Sequence, residues 1–283
     1  MVLLIFSTSN LWADCRETLS LTETIDPTDG TDWQVSTKSY LTSRTKSFIF
    51  IVSPIVGETV LDRRLAQRFC ANGMSTIIAG VVKEDNPLTA DADLSIHDKS
   101  YVRALAGIQA LMNQIQLTTP EARFGILGMS LGGMLSAYIA GADARIEASV
   151  IVAGAGNAAG VLADSDQQIV KGQRERRLTL FNLSNASDYE NLLRPLIVND
   201  PLSVAGNIKP NSSYLFIANA DTTVPTRYQR ELREAIAEPL VYAMNVGHTQ
   251  ALIRAGTIHA GKIVRFFKAQ TSLRQQVFKT FSI

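Results

Sequence analysis

From Phe48 onward the chain alternates between short, wholly apolar runs and longer stretches with a single apolar stripe. Phe48–Val52 is continuous FIFIV, the pattern of a strand buried on both faces. From about Thr59 to Asn72, Leu61, Leu65 and Phe69 fall on one helical face, and Gly73 is placed to cap it. Ser75–Val82 reads as a second buried strand. Tyr101, Leu105, Ile108, Met112 and Ile115 then step by four, three, four and three, which predicts a helix. Phe124–Leu127, Ala148–Val152, Tyr214–Ile217 and Leu240–Met244 supply further strands. Helices over Leu131–Ala140, Thr226–Ile236 and Thr257–Gln270 alternate with them. This order predicts an α/β fold: a mostly parallel sheet, helices on both faces and right-handed crossovers.

Two stretches break the rhythm. Residues 16–45 alternate around the turn-rich Asp26-Pro27-Thr28-Asp29-Gly30, with Leu19, Leu21 and Ile25 on one face before it and Trp33, Val35 and Thr37 after it. That predicts two antiparallel strands at a sheet edge. Between the strands at Ala148–Val152 and Tyr214–Ile217 lie about sixty residues, far more than the usual connection. This helical insertion, at about 155–210, reads as a lid ahead of the strand Tyr214–Ile217. Its polar run from Asp164 to Arg177 lacks a continuous apolar face and is expected to exchange faster than the sheet. Residues 14–283 read as one domain carrying this insertion.

The N-terminal MVLLIFSTSNLWA resembles the back half of a secretory signal, with cleavage possible after Ala13, though it lacks a basic leading region. This places periplasmic or secreted localisation ahead of the cytoplasmic alternative. Trp12-Ala13-Asp14 before Cys15 argues against a lipoprotein anchor. Nothing in the sequence decides whether Cys15 and Cys70 pair.

Composition narrows the function classes. With 283 residues the chain can bury a large core without metal or disulfides. A net charge of +1 with no basic block argues against nucleic acid as partner. No apolar stretch is long enough for an integral membrane span. Two cysteines and three histidines (His97, His248, His259) offer no metal-ligand spacing. Gly154, Gly156 and Gly160 do not form a dinucleotide fingerprint, and the chemistry read below calls for no cofactor.

Gly128-Met129-Ser130-Leu131-Gly132 fits G-x-S-x-G between a predicted strand and a predicted helix. A sharp strand-to-helix turn there thrusts Ser130 above the sheet edge, and the glycines let the turn tighten. Ser130 needs a base. His248, in Val246-Gly247-His248-Thr249, follows the strand Leu240–Met244, at the edge where α/β sheets place their sites. His97 reads as helix entry or surface, and His259 as part of the last helix. Asp221, after Tyr214–Ile217, is the candidate orienting acid. Asp200, before Pro201, reads as a turn or helix cap, and Asp164 and Asp166 lie in the insertion.

On these motifs, GMSLGG at Gly128–Gly133, ANADTTVP at Ala218–Pro225 and Gly247-His248, the chain resembles the α/β-hydrolase superfamily over essentially Phe48 to Phe267. The Gly132-Gly133 pair and Asp221-x-x-Val224-Pro225 look like the branch of dienelactone hydrolases, bacterial acyl esterases and prolyl-oligopeptidase-type peptidases. The resemblance implies a serine hydrolase working through an acyl-enzyme, with Ser130, Asp221 and His248 as triad. Its oxyanion donors would be the amides of Leu131 and Ile55. Many relatives carry His-Gly where this chain has Ser53-Pro54-Ile55, and Pro54 has no N–H to offer. A small-molecule carboxylic ester is the expected substrate. A peptidase or amidase is the alternative, disfavoured by the lack of room for the propeller those peptidases usually carry. A hydrolase fold with an idle triad, used for binding, is the third reading.

Overall fold

The computed structural model describes residues 15–43, 45–53, 58–80 and 90–272. Its centre is an eight-stranded sheet in the order β1-β2-β4-β3-β5-β6-β7-β8. The strands are β1 (Arg16–Ile25), β2 (Asp32–Leu41), β3 (Ser47–Ser53), β4 (Ser75–Gly80), β5 (Arg123–Met129), β6 (Ile146–Val152), β7 (Ser213–Ala218) and β8 (Leu240–Met244). β1, β2 and β4 pair antiparallel, and every pairing from β4 through β3 to β8 is parallel.

Helices cover both faces because the central strands are apolar on both. Phe48, Phe50 and Val52 of β3 join one core with Tyr101 and Ile108 of α2 (Ile96–Thr118) and Leu135 of α3 (Leu131–Ala142). Ile49 and Ile51 join the other with Leu65 and Phe69 of α1 (Val60–Cys70) and Phe267 of α10 (Ala260–Ser272). Thr59 and Asp62 start α1 with a reciprocal capping box, which satisfies two backbone donors of its first turn.

The antiparallel hairpin forms as the alternation predicts, but Leu19, Leu21 and Ile25 face solvent, at 65%, 61% and 63% exposure. Register explains this. Thr22 and Thr24 stand opposite Val35 and Trp33, and those two larger side chains take the inward face. Asp26, at the hairpin turn, is fully buried and accepts from Arg103 Nε of α2 at 2.6 Å, which pins the turn to the body. Cys15, just before β1, is disulfide-bonded to Cys70 at the end of α1, with their Cα atoms 5.9 Å apart.

The insertion between β6 and β7 contains α4 (Ala158–Asp164), α5 (Gln168–Leu180), α6 (Ala186–Leu193) and α7 (Pro201–Val204). The polar run from Asp164 to Arg177 has an inward face after all, but a polar one. Gln173 and Arg177 of α5 are both completely buried. Arg177 donates from Nε to the carbonyl of Asp91, and from its two terminal nitrogens to the carbonyls of Ala90 and Asp93, the Tyr189 hydroxyl and His97 Nε2. One cation thus ties α5 to the segment leading into α2.

The single C-terminal helix expected over Thr257–Gln270 is preceded by another, α9 (His248–Gly256), whose inward positions are the small Ala251 and Ala255. His259 accordingly lies in the turn between α9 and α10, its ring 4.5 Å from that of Tyr242.

Candidate active site

Ser130, Asp221 and His248 all follow parallel strands, β5, β7 and β8, so the topology delivers them to one sheet edge. Ser130 sits between β5 and α3 with φ 56° and ψ −124°, a strained conformation for a residue with a Cβ. Its N–H is used in a 2.8 Å bond to the Val152 carbonyl, which fixes the turn against β6. Gly128 is obligatory: a Cβ there would lie 1.9 Å from the Gly132 carbonyl oxygen. Leu131 opens α3, so its amide belongs to the first turn and has no intrahelical acceptor. Ile55, the other expected donor, lies outside the described residues, as does the signal-like segment 1–13.

His248 Nε2 is 2.9 Å from Ser130 Oγ, and its Nδ1 is 2.7 Å from Asp221 Oδ2. Residues 118 and 27 positions apart in sequence thus form one hydrogen-bonded line. His248 is the first residue of α9, capped by Gly247, rather than a loop residue. The Asp221 side chain is wholly buried and its other oxygen accepts from the backbone of Thr223 (3.0 Å) and Val224 (2.9 Å). A carboxylate so held cannot rotate away from the imidazole.

Sequence reasoning missed Gln229. It is 1% exposed on α8 (Thr226–Ala235), its Oε1 accepting from Ala218 N at 3.0 Å. Its Nε2 donates to Asp221 Oδ2 at 2.9 Å and to the Val224 carbonyl at 2.7 Å. Its position three residues into a predicted helix carried no signal beyond its polarity.

The other acidic candidates do structural work. Asp200 caps α7 through Leu202 N and also accepts from Asn157 N (3.0 Å) and Ala158 N, at the start of α4. Asp164 accepts from Arg227 and the Tyr228 hydroxyl, and Asp166 from the hydroxyls of Thr222 and Thr223. These bonds lash the insertion to the loop that carries Asp221 and to α8 after it.

Beside Ser130 opens a pocket of about 700 Å³, its open mouth included. Leu131 and Met134 of α3, Val161 and Leu162 of α4, and Val170 of α5 contribute apolar walls. His97 lines it too, buried rather than at the surface. Burial first, and the Arg177 charge second, push its pKa down to about 3 against the opposing pull of Gln173 and Asp93. The ring is therefore neutral, with Nε2 accepting from Arg177 and the proton on Nδ1. Among the described residues no group of three or more His, Cys, Asp or Glu is placed to hold a metal, and no helix is long and apolar enough to cross a membrane.

No family model and no curated protein sequence matches the chain, so its likenesses emerge only in three dimensions. An acetyl xylan esterase from Paenibacillus sp. R4 superposes with TM-score 0.71 at 15% identity, over 95% of this chain and 88% of that one. Acetyl xylan esterase 1 from Thermoanaerobacterium sp. JW/SL YS485 gives 0.67 at 14%, over 89% and 87%. Pyrococcus horikoshii acylaminoacyl peptidase gives 0.65 at 15%, over 91% of this chain and 42% of its own. The chain has the α/β-hydrolase fold.

Proposed function

We propose that the protein is a serine hydrolase that cleaves carboxylic esters through an acyl-enzyme. The observation that carries the reading is the continuous line from Ser130 Oγ through His248 to Asp221, at 2.9 and 2.7 Å. A neutral serine is a weak nucleophile, and a base within hydrogen-bond reach overcomes that. On this reading His248 Nε2 takes the Ser130 proton as Oγ bonds to the substrate carbonyl carbon. The carbonyl electron pair moves onto oxygen, where the Leu131 amide stabilises it, a donor worth roughly 3–4 kcal/mol. The intermediate collapses, the bond to the alcohol oxygen breaks, and His248 returns its proton to that oxygen. Water, deprotonated by the same imidazole, then releases the acid and restores Ser130. Asp221 holds the imidazole in the tautomer that leaves Nε2 free to accept, and stabilises the imidazolium.

Two of the structures sharing the fold are acetyl xylan esterases, which favours an ester over an amide. The Cys15–Cys70 disulfide favours an oxidising compartment, in keeping with export. A hydrolysis screen of p-nitrophenyl esters beside peptide anilides tests the reading. Ester turnover that vanishes in Ser130→Ala is expected. Turnover of anilides alone would move the assignment to a peptidase, and turnover of neither would leave a binding protein.

A further inference from the structure

Building on the ester-hydrolase reading, we propose that the pocket beside Ser130 receives the acyl half of the substrate and fits an uncharged, apolar chain longer than an acetyl group.

The side of the reaction centre follows from proton traffic. The alcohol oxygen must leave against His248 Nε2, because that nitrogen returns its proton. The pocket touches Ser130 and Leu131, the nucleophile and the oxyanion donor, but His248 is not among its walls. A group seated there is attached to the carbonyl carbon on the face away from the leaving oxygen, which is the acyl side.

The character of the chain follows from the walls. Leu131, Met134, Val161, Leu162 and Val170 present hydrocarbon, and among the described residues no Asp, Glu, Lys or Arg lines the cavity. Several polar groups along it are already engaged, the Thr223 hydroxyl with Asp166 among them. The Ser100 hydroxyl donates to the Ile96 carbonyl at 2.8 Å, and the His97 ring is neutral and held through Nε2 by Arg177. A charged chain end would meet no counter-ion among the described walls and would lose its hydration. Size follows from reach: the walls run from Ser130 and Leu131 through α3 and α4 to Val170 of α5, and the single methyl of an acetyl group would meet only those nearest Ser130.

The test measures kcat/KM on p-nitrophenyl acetate, butyrate, hexanoate and octanoate. In parallel, calorimetry follows the binding of 2-octanone, an apolar chain that cannot be hydrolysed. From acetate to hexanoate kcat/KM should climb about threefold to fourfold per methylene, near 10²-fold in all. Leu162→Trp and Val170→Trp each fill part of the pocket. Both should pull the hexanoate-to-acetate ratio toward one and weaken 2-octanone binding by about tenfold. An acetate optimum in the wild type, or a ratio unmoved in both tryptophan variants, overturns the proposal. If no ester is turned over, the hydrolase reading fails by itself. The pocket proposal is then upheld by 2-octanone binding that the tryptophan variants weaken, and overturned by no binding or by binding they leave intact.

Discussion

Gln229 Nε2 donates at 2.9 Å to Asp221 Oδ2, the same oxygen that receives His248 Nδ1 at 2.7 Å. The glutamine therefore joins the Thr223 and Val224 amides in fixing which way the carboxylate points, and through it where the imidazole stands. Gln229→Leu removes that donor and also strands Ala218 N and the Val224 carbonyl, both of which it satisfies. Leaving a buried polar group unpaired costs about 1–3 kcal/mol, so the variant should be measurably less stable. A small displacement of a catalytic group can cost about 10² in rate. Turnover should fall in kcat with KM little changed, because the residue lies behind the acid and not in the pocket. A fall in KM-dependent binding alone would speak against the positioning role.

Asp221 and Asp200 should respond differently to the same change. Asp221→Asn keeps shape but offers a donor where the imidazole N–H needs an acceptor. The precedent for that change is a loss near 10⁴ in turnover. Asp200→Asn meets a different problem. Both carboxylate oxygens accept backbone N–H groups, of Asn157 and Leu202 on one and Ala158 on the other. An amide can serve only one of these sides. Chemical denaturation should show a loss of about 1–3 kcal/mol, with turnover reduced far less than in the Asp221 variant.

His97 gives the protein a specific acid sensitivity. Its folded pKa lies near 3, below the ordinary histidine value near 6.5. Below that ordinary value the unfolded chain binds a proton that the folded protein refuses, so stability is lost as pH falls from about 6.5 toward 3. Between pH 7 and pH 5 this amounts to about 2 kcal/mol. His97→Gln keeps an acceptor for Arg177 but does not titrate. Denaturation at a series of pH values should therefore give a flatter profile for this variant than for wild type over that interval. Parallel profiles would mean that His97 is not the titrating group.

The parallel sheet was legible because each central strand is buried on both faces, which forces runs such as Phe48–Val52 and Ala148–Val152. Ser130, His248 and Asp221 were legible for a related reason. Each sits just beyond an apolar run, and a parallel sheet gathers those ends at one edge. α9 was hidden because its inward residues are Ala251 and Ala255, too small to make an apolar stripe. The solvent-facing leucines of β1 could not be anticipated, since alternation fixes which residues share a face but not which face is inward. Arg177 and His97 are eighty residues apart and meet only because α5 folds back on α2. A polar run that buries an arginine on carbonyl oxygens looks, in sequence, like one that faces water.

The Cys15–Cys70 bridge closes a segment with a sequence separation of 55. In the chain-entropy view a loop of that size contributes roughly 4 kcal/mol. Cys15→Ser, Cys70→Ser and the double variant should therefore lose similar stability in urea unfolding. The wild type treated with a reductant should join them. A double variant as stable as the oxidised protein would show that the bridge adds nothing to the fold.

The central claim is that Ser130 is an activated nucleophile. A fluorophosphonate probe reports this directly, because it forms a stable bond only with a serine whose neighbour takes its proton. Intact mass measurement followed by peptide mapping should find one adduct, on Ser130, absent from Ser130→Ala and greatly slowed in His248→Ala. A protein that takes up no label, or a Ser130→Ala variant labelled as fast as wild type, would contradict the account.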